Sequence, residues 1–398
     1  MHRMKALPVA RLSSIVSAIT TVARDRFGLN RVWIGGGSAP ALLDHLFGGN
    51  ALRMRDFDLV MVAERPVDET LARQIGEAVD SPDLTFLPRY VYPRNRSRCG
   101  EELWLAGWGV LWSSHGVEVD LSIFHDHTAL ELNGLMNIDR IRIPLPAAAS
   151  LNDIAATMLS TGSAQRSIAH GFAEDPCGGY PSWVHRAPAI VAWNSIHASP
   201  VECAIRIVRS CVNKLHLFHL RPELADPLRA AIANGRERGD RFVRVRNLLK
   251  LFHDDRAAIE LEMMHSLGAF EGWLPDLAEI IERLGDGGLA TIFAESDRAG
   301  KQDTDHHAVF AQAGEQGGDE MSALRLEAML LNMPAPSRDR VLDEVAIAEP
   351  TFAALVRKQM PRVERRRGKR PAPKARIPSA AARIHALGAA NAPVDLTT

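Results

Sequence analysis

Cysteine is scarce in this chain of 398 residues: Cys99, Cys177, Cys203 and Cys211 are its four, and no two form a Cys-x-x-Cys pair. That usage suits a reducing cytosol rather than a disulfide framework. No apolar run reaches membrane-spanning length, so no membrane partner is expected. Met1-His2-Arg3-Met4-Lys5 leads into an amphipathic segment and not a signal-peptide core, so the expected location is cytoplasmic. Two common phosphate loops are also missing, the Gly-Lys-Ser/Thr end of a Walker loop and the dinucleotide fingerprint Gly-x-Gly-x-x-Gly. With 46% hydrophobic and 24% charged residues, the chain can bury a sizeable core in two or three domains.

What is present begins with two carboxylates. In Arg55-Asp56-Phe57-Asp58-Leu59-Val60-Met61-Val62, strand alternation puts Asp56 and Asp58 on one face and Phe57, Leu59 and Met61 on the other. Two negative charges a few ångströms apart call for a divalent cation. About twenty residues upstream, Val32-Trp33-Ile34 reads as a short strand and Gly35-Gly36-Gly37-Ser38 as a turn into an apolar helix. Backbone N–H groups and a helix N-terminus would then face whatever lies over the turn. Downstream, Val117-Glu118-Val119-Asp120-Leu121-Ser122-Ile123 alternates as a half-buried strand and offers Asp120 as a third carboxylate. Three acids on neighbouring strands can hold two Mg²⁺, with Mn²⁺ as an alternative, and suit phosphoryl-group chemistry, which chiefly needs positioning and charge neutralisation.

At Gly36-Gly37-Ser38 followed by Arg55-Asp56-Phe57-Asp58-Leu59-Val60, the chain resembles the head domain of the DNA polymerase beta type nucleotidyltransferases. Within them it is similar to class II CCA-adding enzymes and bacterial poly(A) polymerases. Three further segments resemble that group in the same order: Thr128 to Met136, Asp175-Pro176-Cys177-Gly178-Gly179, and Glu202 to Arg209. The resemblance implies Asp56, Asp58 and Asp120 as catalytic metal ligands. It also implies nucleotide contacts from Gly36, Gly37, Ser38, Arg55, Asn133, Glu202, Arg206 and Arg209. Departures are Pro40 where the group has an Arg, Phe124-His125-Asp126-His127 in place of an Arg-rich run, and Cys203 at the position of a base-reading Asp. Nucleotide choice is therefore expected to differ from that of a CCA-adding enzyme.

The expected fold is α+β, a nucleotidyltransferase palm of mixed sheet with flanking helices followed by an all-helical body. Its divisions are a head over 1–146, a connector over 147–200, a helical neck and body over 201–296, a linker over 297–319, a helical tail domain over 320–360 and a disordered basic tail over 361–398. From Arg362 to Arg376 there are eight Arg or Lys residues and one Glu, a net +7 that leaves −8 on the chain before it. Such a tail either adds salt-sensitive affinity for an RNA backbone or keeps the chain in solution. A second basic cluster, Arg89, Arg94, Arg96 and Arg98 with Tyr90 and Tyr92, lies between head strands, suited to triphosphate or acceptor-strand contacts. Trp104, Trp108 and Trp112 share one strand face if no bulge intervenes, and are expected in the core. His253-Asp254, His306-His307 and His125-x-His127 carry no second metal site in this reading.

The leading functional expectation is transfer of a nucleoside monophosphate from an NTP to the 3′ hydroxyl of RNA, such as tRNA. Two alternatives stay open: the same head chemistry on a protein or small-molecule acceptor, and a non-catalytic RNA-binding protein on a decayed head. Three retained carboxylates disfavour the last, because clustered unpaired charge is costly once no metal needs it.

Overall fold

The computed structural model describes residues 9–49, 52, 56–97, 103–114, 117–131, 133–147, 149–235, 241–252, 256–300 and 317–367. The fold is α+β, a mixed sheet with flanking helices and then a helical body. The chain divides into two compact units, Met1–Ala354 and Leu355–Thr398. Among the described residues, no helix is long and apolar enough to cross a membrane.

The sheet is built from β1 (Arg31–Ile34), β2 (Asp56–Val62), β3 (Thr85–Phe86), β4 (Tyr92–Ser97), β5 (Leu103–Ser114), β6 (Val117–Phe124) and β7 (Ile143–Pro144). Their order is β3-β5-β6-β2-β1-β7, with β4 also paired to β5. Strand β2 runs parallel to β6, and the other pairs are antiparallel. Four helices accompany these strands in sequence: α1 (Val9–Phe27), α2 (Ser38–Gly48), α3 (Glu69–Ala78) and the short α4 (His127–Glu131). Helix α3 starts where its amphipathic pattern meets Asp68, whose carboxylate accepts from Leu71 N at 2.7 Å. Such a cap contributes about 1 kcal/mol.

Period-two alternation sorts the strands between two cores. Phe57, Leu59 and Met61 lie in the larger cluster with Leu12, Ile15 and Ile19 of α1 and Leu42 and Leu43 of α2. Val60 and Val62 join Trp33, Phe124 and Leu130 in a smaller one. The tryptophans are core residues, as expected, but they do not share a face. Trp108 and Trp112 belong to the larger core and Trp104 to the smaller. A register shift explains the split: Arg94 pairs with Gly107 while Asn95 pairs with Leu105, so β5 bulges there. A Cβ at Gly107 would collide with the carbonyl of Ile123, so the bulge needs glycine.

Strand β4 falls where the sequence reading saw only a basic cluster. Tyr92-Pro93-Arg94-Asn95-Arg96-Ser97 lacks apolar alternation, and its pairing to β5 alone makes it an edge strand, where proline is tolerated. Short helices α5 (Leu151–Ser160), α6 (Ala164–Ala169), α7 (Gly179–Val184) and α8 (Trp193–Ala198) follow the sheet. The body begins at α9 (Pro200–Asn213) and continues through α10 (Pro222–Asn234), α11 (Arg241–Leu251), α12 (Ala257–Ser266), α13 (Pro275–Leu284), α14 (Gly288–Gly300), α15 (Gly317–Leu330), α16 (Ala335–Ala348) and α17 (Pro350–Arg367).

Residues 297–300, expected to open a linker, instead complete α14. Asp297 receives two hydrogen bonds from buried Arg325, at 3.1 and 2.9 Å, and Arg325 also donates to the carbonyl of Phe252 at 2.9 Å. A polar composition at a helix end concealed one partner of a buried ion pair. The rest of that expected linker, 301–316 with His306-His307, lies outside the described residues. So do His253-Asp254 and the tail from 368 onward, while 361–367 are helical.

Candidate active site

The parallel register of β2 and β6 sets Asp58 opposite Asp120 and Asp56 opposite Glu118. Asp58 and Asp120 are thus neighbours across one ladder, with Asp56 two residues along the same face. The glycine turn closes over Asp58 through four hydrogen bonds. Gly35 N donates to the Asp58 carbonyl at 3.0 Å, Gly37 N to Asp58 Oδ2 at 3.2 Å, Asp58 N to Ser38 Oγ at 2.9 Å, and Ser38 Oγ to the Asp56 carbonyl at 3.4 Å. The two glycines serve in different ways. Gly36 has φ +52°, and a Cβ on it would collide with the Asp58 carboxylate. A Cβ at Gly37 would lie 2.7 Å from Lys214 Cε and 2.8 Å from its Nζ. The turn that the sequence presents as open space is therefore packed against one carboxylate and one ammonium group.

Lys214 follows the last turn of α9 and was not singled out in the sequence. Its Nζ lies 3.6 Å from Asp139 Oδ1. Burial opposes its charge, yet Asp139, Asp56 and Asp58 hold its pKa above the ordinary lysine range, with Arg209 opposing. Asp58 is pushed up to about 7, first by burial and then by the charge of Asp56; Asp120 adds to the effect, and Lys214 and Arg94 counter it.

Asp120 is held differently. Arg94 Nη2 donates to its Oδ1 at 2.8 Å and Oδ2 at 2.7 Å, and the Tyr92 hydroxyl donates to Oδ2 at 2.6 Å. The Arg94 guanidinium also sits 4.8 Å from the Tyr92 ring centroid. Of the basic cluster noted in sequence, Arg94 therefore reaches a carboxylate, while Arg246 of α11 lies over the Tyr90 ring at 5.0 Å. Lys250, also on α11, is exposed. Partial desolvation, with the charges of Arg209 and Arg246, pushes it down to about 8 against the pull of Glu118 and Asp120.

A cavity of about 160 Å³ opens beside the turn, lined among others by Gly35, Gly36, Asn133, Arg140, Arg142 and Cys177. The Asp175-Pro176-Cys177-Gly178-Gly179 segment reaches it by a tight turn. Asp175 Oδ1 accepts from Gly179 N at 2.6 Å and Oδ2 from Tyr180 N at 3.0 Å, capping α7. A Cβ at Gly179 would collide with the Asn137 carbonyl. Segments drawn from across more than a hundred residues of sequence, Gly35 to Cys177, thus line one hollow.

Of the remaining expected site residues, Glu202, Arg206 and Arg209 are half-buried along α9, and Arg209 is near enough to act on both Lys214 and Lys250. Cys203, between them, is 4% exposed, its thiol donating to the Ser195 carbonyl at 3.4 Å. Arg55 lies outside the described residues. His125 accepts from Val67 N at 2.8 Å through Nδ1, and His127 stacks on Trp33 with ring centroids 6.1 Å apart, so neither is arranged as a ligand.

Among the described residues, no three His, Cys, Asp or Glu side chains are gathered closely enough to hold a metal ion. The Asp56–Asp58 pair nevertheless fits Mg²⁺ in donor chemistry, because that ion commonly takes one or two carboxylates and completes its shell with water and substrate phosphates. Asp120, turned to Arg94 and Tyr92, does not complete the set as it stands.

No protein-family profile matches the chain, and no curated protein matches it. Among solved structures it is similar to a tRNA-processing enzyme in two apo forms, one at 15% identity over 86% of this chain and 80% of that one (TM-score 0.49), the other at 14% over 93% and 83% (TM-score 0.48). A complex of a tRNA-processing enzyme is similar at 14% identity over 89% and 81%, with a TM-score of 0.47.

Proposed function

We propose that the protein is a metal-dependent nucleotidyltransferase that moves a nucleoside monophosphate from an NTP to a 3′ hydroxyl of RNA, tRNA being one candidate acceptor. One observation carries the reading: Asp58 and Asp120 are paired in register on β2 and β6, and the glycine turn folds directly over Asp58. The adjoining cavity adds support, since Gly36, Asn133 and Cys177 come to it from three of the segments that resemble this superfamily.

In this reading the acceptor oxygen attacks the α-phosphorus, a new P–O bond forms, and the bond to the bridging oxygen of pyrophosphate breaks. The hydroxyl proton leaves toward a carboxylate, and Asp120 is assigned that role once its oxygens are free. Asp56 and Asp58 would hold a divalent cation, Mg²⁺ or Mn²⁺, which would supply charge neutralisation for the triphosphate and the leaving pyrophosphate. Lys214, beside the glycine turn, adds a fixed positive charge for the phosphates; Asn133 lines the nucleotide cavity, and Glu202, Arg206 and Arg209 present α9 to the base. Cys203, buried against α8, leaves that face without the acceptor a base-reading Asp would supply, so ordered C, C, A addition is not expected.

The test is to incubate purified protein with Mg²⁺, each labelled NTP in turn, and total RNA. Labelled RNA is expected, with unequal use of the four nucleotides. Label on protein or a small molecule instead would transfer the chemistry to another acceptor, and no label anywhere would overturn the reading.

A further inference from the structure

Asp120 is reached from an unusual direction. Tyr92 and Arg94 lie on the edge strand β4, and β5 runs between them and β6. Their partners on β5 are Gly109 and Gly107. A Cβ at Gly109 would run into the Tyr92 ring, so the ring lies across the backbone of β5 where a side chain would otherwise stand. One glycine thereby lets an edge strand lay a phenol over its neighbour, and beside it the Arg94 guanidinium reaches a carboxylate one strand further on. The resulting pair is shielded, with Arg94 and Asp120 side chains each 18% exposed.

Three hydrogen bonds occupy both oxygens of Asp120, most of what a carboxylate can accept. The arginine is less well served, because its buried Nε has no hydrogen-bond partner. A planar guanidinium with a spare donor is suited to a phosphate once it leaves the carboxylate, because its fork then matches the phosphate oxygens. Its charge also bears on Asp58, so it stands within electrostatic reach of the carboxylate pair that fits a cation.

We propose that Arg94 is the exchangeable counter-ion of Asp120 and a phosphate contact for the incoming nucleotide, so that divalent cation and nucleoside triphosphate are bound as one unit. This rests on the nucleotidyltransferase reading of the same site. Without nucleotide, Arg94 occupies Asp120 and the cation meets an incomplete set of ligands. When the triphosphate arrives, its oxygens take the guanidinium, and Asp120 is released to the cation. Nucleotide therefore raises cation affinity and, by linkage, cation raises nucleotide affinity by the same factor. Tyr92 is a positioning residue, since its hydroxyl and ring hold the guanidinium on the carboxylate.

The experiment titrates Mn²⁺ into full-length protein without acceptor, reading free Mn²⁺ by electron paramagnetic resonance, with and without a non-hydrolysable ATP analogue. Wild type is expected to bind Mn²⁺ weakly alone and roughly ten- to a hundredfold more tightly with the analogue. Arg94→Gln should bind Mn²⁺ tightly without nucleotide and lose most of that enhancement. Tyr92→Phe, which removes one hydrogen bond and keeps the ring, should fall between them and guards against a fold defect in the arginine variant. Equal nucleotide-free affinity in all three proteins overturns the counter-ion role and leaves the transferase reading standing. Failure of every protein to bind Mn²⁺ in either state overturns both. The expected pattern, with no transfer to any acceptor, overturns the transferase reading alone.

Discussion

The carboxylates and the cations that face them are built in different ways. Asp56, Asp58 and Asp120 come from two adjacent strands whose alternation fixes both their face and their register. The cations come from an edge strand, the end of α9 and the middle of α11: Arg94, Lys214 and Lys250. Arg94 binds Asp120 directly from the edge strand, while Lys214, packed against Gly37, and Lys250 act on the carboxylates through charge alone. The difference teaches that a site's negative half can be a periodic property of one sheet, while its positive half depends on long-range packing.

Mutations that separate the halves should have graded effects. Asp120→Asn belongs to the periodic half and should lower kcat by about 100-fold, in the range for removing a positioned acid–base group, and should also lower the thermal midpoint, because shielded Arg94 loses its charged partner. A kcat within threefold of wild type would show that the register pair is not catalytic. Lys214→Met tests the packed half: KM for all four NTPs should rise together by about tenfold, because a charge on the phosphates is blind to the base. Arg206→Ala should instead change the ratio of kcat/KM values among NTPs. If the two variants give the same pattern, α9 does not divide phosphate from base contacts as assigned. The smallest effect should be that of Glu118→Gln. This residue shares the strand face with Asp120 but is exposed opposite Asp56, so steady-state rates should stay within about threefold. A larger loss than that of Asp120→Asn would move the catalytic carboxylate two residues along β6.

The same contrast explains what was legible in the sequence. Strands β2 and β6 could be read because buried Phe57, Leu59 and Val119 alternate with polar residues. Helix α3 could be read from its amphipathic run. Strand β4 could not, because its residues lack alternation and their pairing is supplied by the bulged β5. The tryptophans were rightly placed in the core, but a bulge at Gly107 divides them between two faces, and no local pattern announces it. Lys214 escaped notice because its importance comes from contact with Gly37, 177 positions earlier in the sequence. Arg94 stands out by its charge, but its partner Asp120 lies on β6, beyond β5, where no local pattern points.

The central claim is that Asp56 and Asp58 support transfer of the nucleotidyl group. The direct measurement compares [α-³²P]- and [γ-³²P]-labelled NTPs with Mg²⁺ and total RNA, using wild type, Asp56→Asn and Asp58→Asn. The account predicts that wild type places α-label in RNA and releases γ-label as pyrophosphate, and that each variant, still folded, loses incorporation by at least about 10³-fold, a barrier increase of roughly 4 kcal/mol. Incorporation of γ-label, or α-label transferred at near wild-type rates by both variants, would contradict it.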